Sequence, residues 1–139
     1  MSVLKGLDRA GSFGEGAFSS VGCYKRIDSN KSSRDGGESL VAVKIYKGVA
    51  VSPRQARIRQ ELQVLKVLSH KKSCKYVNEL LDHSSMDKGI NEVYLVLRPA
   101  LGGSLNKHIV RSERGRLSPS VAKGYAAELV TAIKAVHSM

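Results

Sequence analysis

The feature of the sequence that most constrains the fold is a glycine-rich segment, Gly11–Gly16, with strand-like residues on both sides. Glycine has no Cβ atom, so it lets the backbone turn tightly and approach phosphate oxygens closely. A Rossmann dinucleotide site requires a helix directly after its glycines, whereas Val21–Arg26 has the pattern of a strand. A Walker loop requires Lys and then Ser or Thr after its last glycine, where Ala17 and Phe18 stand here. Two alternatives remain: a plain hairpin turn, or a glycine loop that covers phosphates between two strands.

The rest of the first hundred residues predicts a small antiparallel sheet. The predicted strands are Val3–Leu7, Val21–Arg26, Leu40–Tyr46, Val77–Leu81 and Glu92–Leu97. They are rich in apolar residues and bounded by polar or glycine-containing segments, which is typical of strands. The polar segments Asp28–Ser39 and His83–Asn91 predict loops, and the first three strands predict a meander.

One main helix follows the third predicted strand. Ser52, Pro53 and Gln55 form a helix-start signal, with Ser52 as cap and Gln55 closing a capping box. An apolar face at helical spacing comes next, made of Ile58, Leu62, Leu65 and Leu68. Glu61 is expected at the edge of that face, where it can meet a residue of the sheet.

Two further helices are predicted after a break at Gly102–Gly103. Ser104 can cap a short helix that runs to about Val110, and Ser118 with Pro119 begins a longer one. The longer helix has an apolar stripe made of Val121, Tyr125, Leu129, Ile133 and Val136. Such a stripe requires a partner surface, so the sequence predicts an uncovered face here.

The charge of the chain favours acidic partners in general without specifying one. Lys and Arg number 23 against 12 Asp and Glu, a net charge of +11. The basic residues are not interleaved with aromatic ones, so we predict no specific nucleic-acid site. No apolar run approaches the ~18 residues of a membrane-spanning helix. The four histidines and two cysteines lack metal-ligand spacing. Cys23 and Cys74 predict reduced thiols and a cytoplasmic location, to which the nucleus can be added.

The strand Val41-Ala42-Val43-Lys44 carries the second chemical signal. A lysine on an apolar strand is costly to bury alone, so Lys44 requires an anion, and Glu61 on the following helix is a candidate. Taken alone, this motif also fits a strand end with a solvated lysine. The order of the elements is a far more specific indication of a fold than either motif alone. It runs from the glycine loop to the Ala-Val-Lys strand, the capped helix with Glu, two strands and a glycine break.

In that order the segments resemble the N-terminal lobe of a eukaryotic-type protein kinase and the first helices of its C-terminal lobe, from about Leu7 to Met139. The resemblance implies an α+β fold, with a five-stranded antiparallel sheet and one main helix at 1–97. It also implies a hinge at 98–103 and the beginning of a helical C-lobe at 104–139. Three segments are similar to kinase sequences: Gly102–Leu105, Tyr125–Leu129 and Ala135–Ser138. Within the second, the motif Tyr-Ala-Ala-Glu favours the AGC group of Ser/Thr kinases.

The resemblance implies that Lys44 holds the α- and β-phosphates of ATP and that Glu61 fixes its position, which makes them the candidate catalytic residues. Phe18 is expected at the tip of the phosphate-covering loop and Leu97 as the gatekeeper behind adenine. Arg98 and Ala100 are expected to offer backbone groups to adenine. The complete set of expected ATP-binding residues is Gly14, Glu15, Gly16, Ala17, Phe18, Ser19, Val21, Ala42, Lys44, Leu97, Arg98 and Ala100.

Three positions depart from the usual kinase pattern without abolishing ATP binding on physical grounds. Ser19 replaces the third glycine, Phe13 replaces an aliphatic residue before the first glycine, and Arg98 stands where the hinge usually has Glu. The 139 residues contain neither a His-Arg-Asp nor an Asp-Phe-Gly motif, which the family uses for the base and for Mg²⁺. We therefore expect no metal ligand in this chain, with Mg²⁺ bound only by a complete kinase domain.

Two main functions from different classes remain open at this point, beside a third reading as a basic nucleic-acid binder, which requires salt-dependent binding to RNA or DNA. The first is a Ser/Thr protein kinase, truncated before its catalytic loop and inactive as this chain alone, whose complete form transfers the γ-phosphoryl group of ATP to a protein substrate. The second is a non-catalytic kinase-like module that docks on a protein partner through its basic surface or its exposed last helix. The sequence indicates no oligomeric state.

Overall fold

The computed structural model describes residues 6–26, 39–49, 52–70, 74–86 and 92–138, and its largest element is a five-stranded antiparallel sheet. The strands are β1 (Leu7–Glu15), β2 (Ser19–Arg26), β3 (Ser39–Lys47), β4 (Leu80–His83) and β5 (Glu92–Leu97). Their order across the sheet is β1-β2-β3-β5-β4, so the first three form the predicted meander and β5 lies between β3 and β4.

In the described residues three α-helices accompany the sheet: α1 (Ser52–His70), α2 (Leu105–Arg111) and α3 (Pro119–His137). The predicted caps of the last two are present. Ser104 accepts a hydrogen bond from the backbone N–H of Lys107 at 3.4 Å, and Ser118 accepts one from Val121 at 3.4 Å. The side chain of Ser52 lies outside the described residues, so its capping box stays a prediction.

The glycine-rich segment is mostly strand, which corrects the prediction of a turn over Gly11–Gly16. β1 continues to Glu15, which is paired with Ser20 of β2, and two irregularities in register interrupt the pairing. The turn is confined to residues 16–18 and is closed by the N–H of Gly16, which donates to the carbonyl of Ser19 at 2.7 Å. Glycine tolerates the distorted backbone of such bulges, so a glycine-rich stretch can stay in the ladder.

The fourth strand lies further along the chain than predicted, at Leu80–His83 instead of Val77–Leu81. The predicted loop began at His83, but His83 is paired with Leu95 of β5, and Asp82 before it is paired with Val96. Residues 3–5 of the predicted first strand, 28–38 of the first polar loop and 87–91 of the second lie outside the described residues.

The core has two parts because side chains along β3 alternate between the faces of the sheet. On one face, Ile58 and Leu62 of α1 pack with residues of β3 and β5, including the fully buried Leu95. On the other face, Val41 and Val43 pack with residues of β2 and β5. The predicted apolar face of α1 is thus confirmed at its first two positions, whereas Leu65 and Leu68 are only half-buried.

The apolar stripe of α3 is exposed along its whole length, as the sequence predicted. Leu129 is 61% exposed, and α3 has no buried residue. None of the helices in the described part of the chain combines the length and apolar character that crossing a membrane requires.

Candidate functional site

The centre of the candidate site is an ion pair between the sheet and α1. The Nζ atom of Lys44 lies 2.8 Å from Oε1 of Glu61, and their side chains are 26% and 38% exposed. Lys44 is on the α1 side of β3, and the burial of Ile58 and Leu62 places Glu61 between them on the face of α1 that meets the sheet. The pairing predicted from the Ala-Val-Lys strand is therefore present in the structure.

Tyr46 completes this cluster and was missed by the sequence analysis. Its hydroxyl donates to Oε2 of Glu61 at 2.5 Å, and the Nζ atom of Lys44 lies 4.8 Å from the centre of its ring. The sequence spacing could have indicated this contact, because residues two apart on a strand share a face and Tyr46 follows Lys44 by two. Both oxygens of the Glu61 carboxylate are thus held by donors from β3.

The surroundings of Tyr46 predict a pH dependence of stability at alkaline pH. Burial, and then the hydrogen bond to Glu61 and its negative charge, raise the pKa of the Tyr46 phenol well above its usual value near 10. A group with a raised pKa in the folded state contributes stability that is complete below the unfolded pKa and is lost as pH rises past it. We expect the free energy of unfolding to fall above about pH 10.

Tyr46→Phe is the variant that checks this, with unfolding by urea measured from pH 8 to 11. The variant should show a smaller decline than the wild type. Part of the decline in the free energy of unfolding should remain in both proteins, because burial and the charge of Asp82 also raise the pKa of Tyr94. Identical slopes in the two proteins would show that the Tyr46 phenol is not linked to folding.

The turn between β1 and β2 lies against α1 and β3. The N–H of Lys47 donates to the carbonyl of Phe18 at 3.2 Å, and the guanidinium of Arg54 lies 3.7 Å from the centre of the Phe18 ring. Phe18 remains 57% exposed at the tip of the loop, which is the position that the sequence predicted for it. Guanidinium–aromatic contacts of this kind are attractive, so they help hold the loop near the beginning of α1.

A cavity of about 650 Å³ lies between the sheet and the segment that follows β5. Val21, Ala42 and Leu97 contribute apolar walls, and Arg98 and Ala100 line the same cavity. Phe13, which stands where an aliphatic residue was expected before the first glycine, also lines the cavity. Within the described part of the chain, the full lining is Ser12, Phe13, Val21, Ala42, Asn78, Leu97, Arg98, Ala100, Leu101, Gly102, Gly103, Ser104, Lys107, His108 and Arg111.

The structure divides the predicted site residues into two neighbouring groups. Five of them meet at the cavity, whereas Lys44, Glu61 and residues 14–19 are not among its lining residues. Because Ala42 and Lys44 are two apart on β3, Lys44 lies on the same face as the cavity wall, one step further along the strand. The ion pair therefore stands beside the cavity rather than inside it.

Glu79 contacts Arg98, the residue that directly follows β5, and the sequence analysis did not predict this contact. The backbone N–H of Arg98 donates to the carbonyl of Glu79 at 2.9 Å, and the Arg98 guanidinium forms an ion pair with the Glu79 carboxylate. The positive charge of Arg98 is thus paired with the negative charge of Glu79, which lies directly before β4.

The described residues offer no candidate metal centre, because no three His, Cys, Asp or Glu side chains among them are grouped to hold an ion. The donor set that Mg²⁺ requires is mainly carboxylate and carbonyl oxygen. The residues at the candidate site do not fit a resident Mg²⁺ ion by themselves.

Comparison with known proteins decides the family. Residues 7–139 match the family model described as protein kinase domain. This chain belongs to the protein kinase domain family. Two relatives come from Arabidopsis thaliana: CBL-interacting serine/threonine-protein kinase 7, 31% identical over 126 residues, and 3-phosphoinositide-dependent protein kinase 1, 30% identical over 124 residues. Each match covers 89% of this chain but only 26% and 23% of the relatives, so the chain spans about a quarter of their length.

Membership of the protein kinase family explains why the sheet, α1 and the segment after β5 occur in this order. In kinases a β3 lysine and a glutamate of the following helix must be in place together for phosphoryl transfer. The Lys44–Glu61 pair has that arrangement at 2.8 Å. The predicted fold class, a kinase N-lobe followed by the first helices of the C-lobe, is confirmed.

Proposed function

We propose that this chain forms the nucleotide-binding part of a Ser/Thr protein kinase and that ATP is its ligand. The observation that carries the proposal is the Lys44–Glu61 ion pair of 2.8 Å beside a cavity of about 650 Å³. An ammonium group held in place by a carboxylate is a preorganised site for phosphate oxygens. The names of both relatives, which are kinases, support the same class of reaction.

The lining of the cavity suits an adenine ring. Binding sites for small molecules are mostly apolar with a few convergent polar groups, and Val21, Ala42 and Leu97 supply the apolar part. In this proposal the backbone at Arg98 and Ala100 binds the base edge, and the triphosphate extends along β3 to Lys44. Residues 14–19, which are the ends of β1 and β2 with the turn between them, cover the phosphates from the other side.

Phosphoryl transfer requires more than these 139 residues provide. The printed sequence has no His-Arg-Asp or Asp-Phe-Gly motif, and the described residues have no grouped metal ligands. We propose that this chain alone binds nucleotide without transferring phosphate, and that transfer to a protein Ser or Thr belongs to a complete kinase domain with Mg²⁺. The division into 1–97, 98–103 and 104–139, the lean towards the AGC group and the cytoplasmic location stay predictions.

Isothermal calorimetry of the purified chain with ATP, ADP and adenosine tests the proposal. We expect saturable binding of one nucleotide per chain, with ATP and ADP bound more tightly than adenosine because only they reach Lys44. Absence of binding by a folded, monomeric sample would contradict the nucleotide-binding role of this chain.

The exposed stripe of α3 favours a second candidate, a kinase-like module that docks on a protein partner. Leu129 and Ile133 are 61% and 44% exposed, and a groove of about 510 Å³ between α3 and residues before it is lined mainly by apolar side chains. Contiguous apolar surface of this kind is typical of protein contacts. The basic net charge of +11 would add attraction to an acidic partner.

Leu129→Glu is the variant that tests the stripe as a contact surface. Where the stripe is used in self-association or docking, association should weaken at least about tenfold, because an unpaired carboxylate is costly to bury in an apolar contact. Analytical ultracentrifugation measures the change. Thr131→Glu, also exposed on α3, adds the same charge outside the stripe and should have little effect. Equal behaviour of the two variants would contradict a docking role for the stripe.

A further inference from the structure

We propose that Tyr46 is a positioning residue of the candidate site, which fixes the Glu61 carboxylate and through it the Lys44 ammonium group. The inference rests on the proposed function and adds a residue to it. The contact that carries it is the hydrogen bond of 2.5 Å from the Tyr46 hydroxyl to Oε2 of Glu61, beside the bond of 2.8 Å from Lys44 to Oε1.

These two donors together fix the orientation of the Glu61 carboxylate. A carboxylate held by a single partner can rotate about its terminal torsion, which is broad for glutamate. With one donor on each oxygen, rotation breaks at least one hydrogen bond. Because both donors belong to β3, the carboxylate is tied to one strand at two points, and α1 is held with it.

The placement of Tyr46 follows from the strand itself. Ala42, Lys44 and Tyr46 occupy successive positions on the same face of β3, so Tyr46 stands on the side of Lys44 away from the cavity wall. Tyr46 is 8% exposed and belongs to the core cluster that contains Ile58 and Leu62 of α1. A phenol in this position has a rigid ring anchored in the core and a polar end directed at the site.

The chemistry of the phenol suits a permanent donor. Burial, together with the hydrogen bond and charge of Glu61, raises the pKa of Tyr46, so the hydroxyl keeps its proton throughout the neutral range. Hydrogen bonds to an ionised acceptor are stronger than those between neutral groups. The Tyr46 hydroxyl therefore stays a donor to Glu61 throughout the neutral range.

A purely structural account of Tyr46 makes a different prediction. Buried tyrosines generally find a partner for their hydroxyl, and the loss of such a bond affects only the stability of the core. The two accounts separate when ligand binding and the mobility of Lys44 are measured beside stability. Tyr24→Phe provides a matched control, because Tyr24 is a buried tyrosine, 7% exposed, on the opposite face of the sheet.

The first readout is the NMR signal of the Lys44 ammonium group in uniformly ¹⁵N-labelled chain, assigned by its absence in Lys44→Met. We expect Tyr46→Phe to broaden or shift this signal and Tyr24→Phe to leave it unchanged. This measurement requires no nucleotide, so it decides the positioning role even where the chain binds no ATP. An unchanged Lys44 signal in Tyr46→Phe would overturn the inference.

The second readout is nucleotide affinity by calorimetry. Tyr46→Phe should weaken ATP binding by about fivefold, the effect of one hydrogen bond of typical net strength, and leave adenosine binding unchanged. In a Glu61→Ala background the same substitution should have no further effect on ATP binding, because the residue through which it acts is gone. Equal effects in both backgrounds, or equal losses for ATP and adenosine, would contradict action through Glu61.

These outcomes separate the inference from the proposed function. If the wild-type chain does not bind ATP, the nucleotide-binding role is contradicted. If the Lys44 signal nevertheless responds to Tyr46→Phe, the positioning role is supported. Binding of ATP that depends on Lys44 and is indifferent to Tyr46→Phe supports the proposed function and overturns the inference.

Discussion

Lys44→Met is expected to weaken ATP binding by about 10- to 100-fold, because hydrogen bonds to charged groups contribute about 1.5–3 kcal/mol. Methionine keeps the length and most of the volume of the lysine stem but cannot bind a phosphate oxygen. Calorimetric titration with ATP and with adenosine measures the effect. Adenosine binding should be nearly unchanged, since the base and sugar contact the cavity walls and not the ammonium group.

The fold should survive this substitution for a specific reason. Lys44 is 26% exposed, so it is not deeply desolvated, and the Glu61 carboxylate keeps its hydrogen bond from Tyr46 after Lys44 is removed. Circular dichroism and urea unfolding verify that the variant is native.

Lys47→Met is a matched control for the loss of one positive charge. Lys47 lies on the same strand and is exposed, and removal of its charge should reduce ATP affinity by less than about twofold, as expected for a screened surface charge. An equal reduction in the two variants would mean that ATP responds to net charge alone. Unchanged affinity in Lys44→Met would remove Lys44 from the site.

Leu95→Ala should cause the largest loss of stability in the chain, about 2–5 kcal/mol, as is typical when a fully buried leucine is truncated. Leu95 has no exposed surface and sits on β5, which is paired on both sides, with β3 and with β4. Its side chain belongs to the cluster that also contains Ile58 and Leu62, so the cavity left behind would loosen the contact of α1 with the sheet.

Urea unfolding of Leu95→Ala measures this loss, and Leu81→Ala is its control. Leu81 lies on β4 and is 40% exposed, so its truncation should cost less than about 1 kcal/mol. Total stabilities of domains are only about 5–15 kcal/mol, so the first variant is expected to be close to unfolding at physiological temperature. Similar losses in both variants would contradict the assigned centre of the core.

The sequence predicted best those elements that depend on local interactions. The caps at Ser104 and Ser118 and the strand Glu92–Leu97 were located correctly, because capping needs only a polar side chain next to a helix start and a buried strand needs only a run of apolar residues. The charge pair of Lys44 and Glu61 was also predicted, since a lysine on an apolar strand requires an anion.

Local patterns failed where a neighbouring strand determined the outcome. The glycines of β1 favour a turn when considered alone, but β2 offers a complete ladder of partners and keeps them in the sheet up to Glu15. His83 was predicted to begin a loop, but its backbone is paired with β5. Backbone pairing is indifferent to side-chain polarity at the edge of a sheet, so composition cannot reveal it.

The sequence by itself determined the order of the elements, the faces on which side chains lie and the family to which the chain belongs. Tertiary structure decided which side chains meet. The hydrogen bond from Tyr46 joins residues 15 positions apart, and the ion pair from Arg98 to Glu79 joins residues 19 apart. Both depend on how closely α1 and β4 pack against β3 and β5, and that distance is set by the shape of the whole core rather than by any segment of the chain.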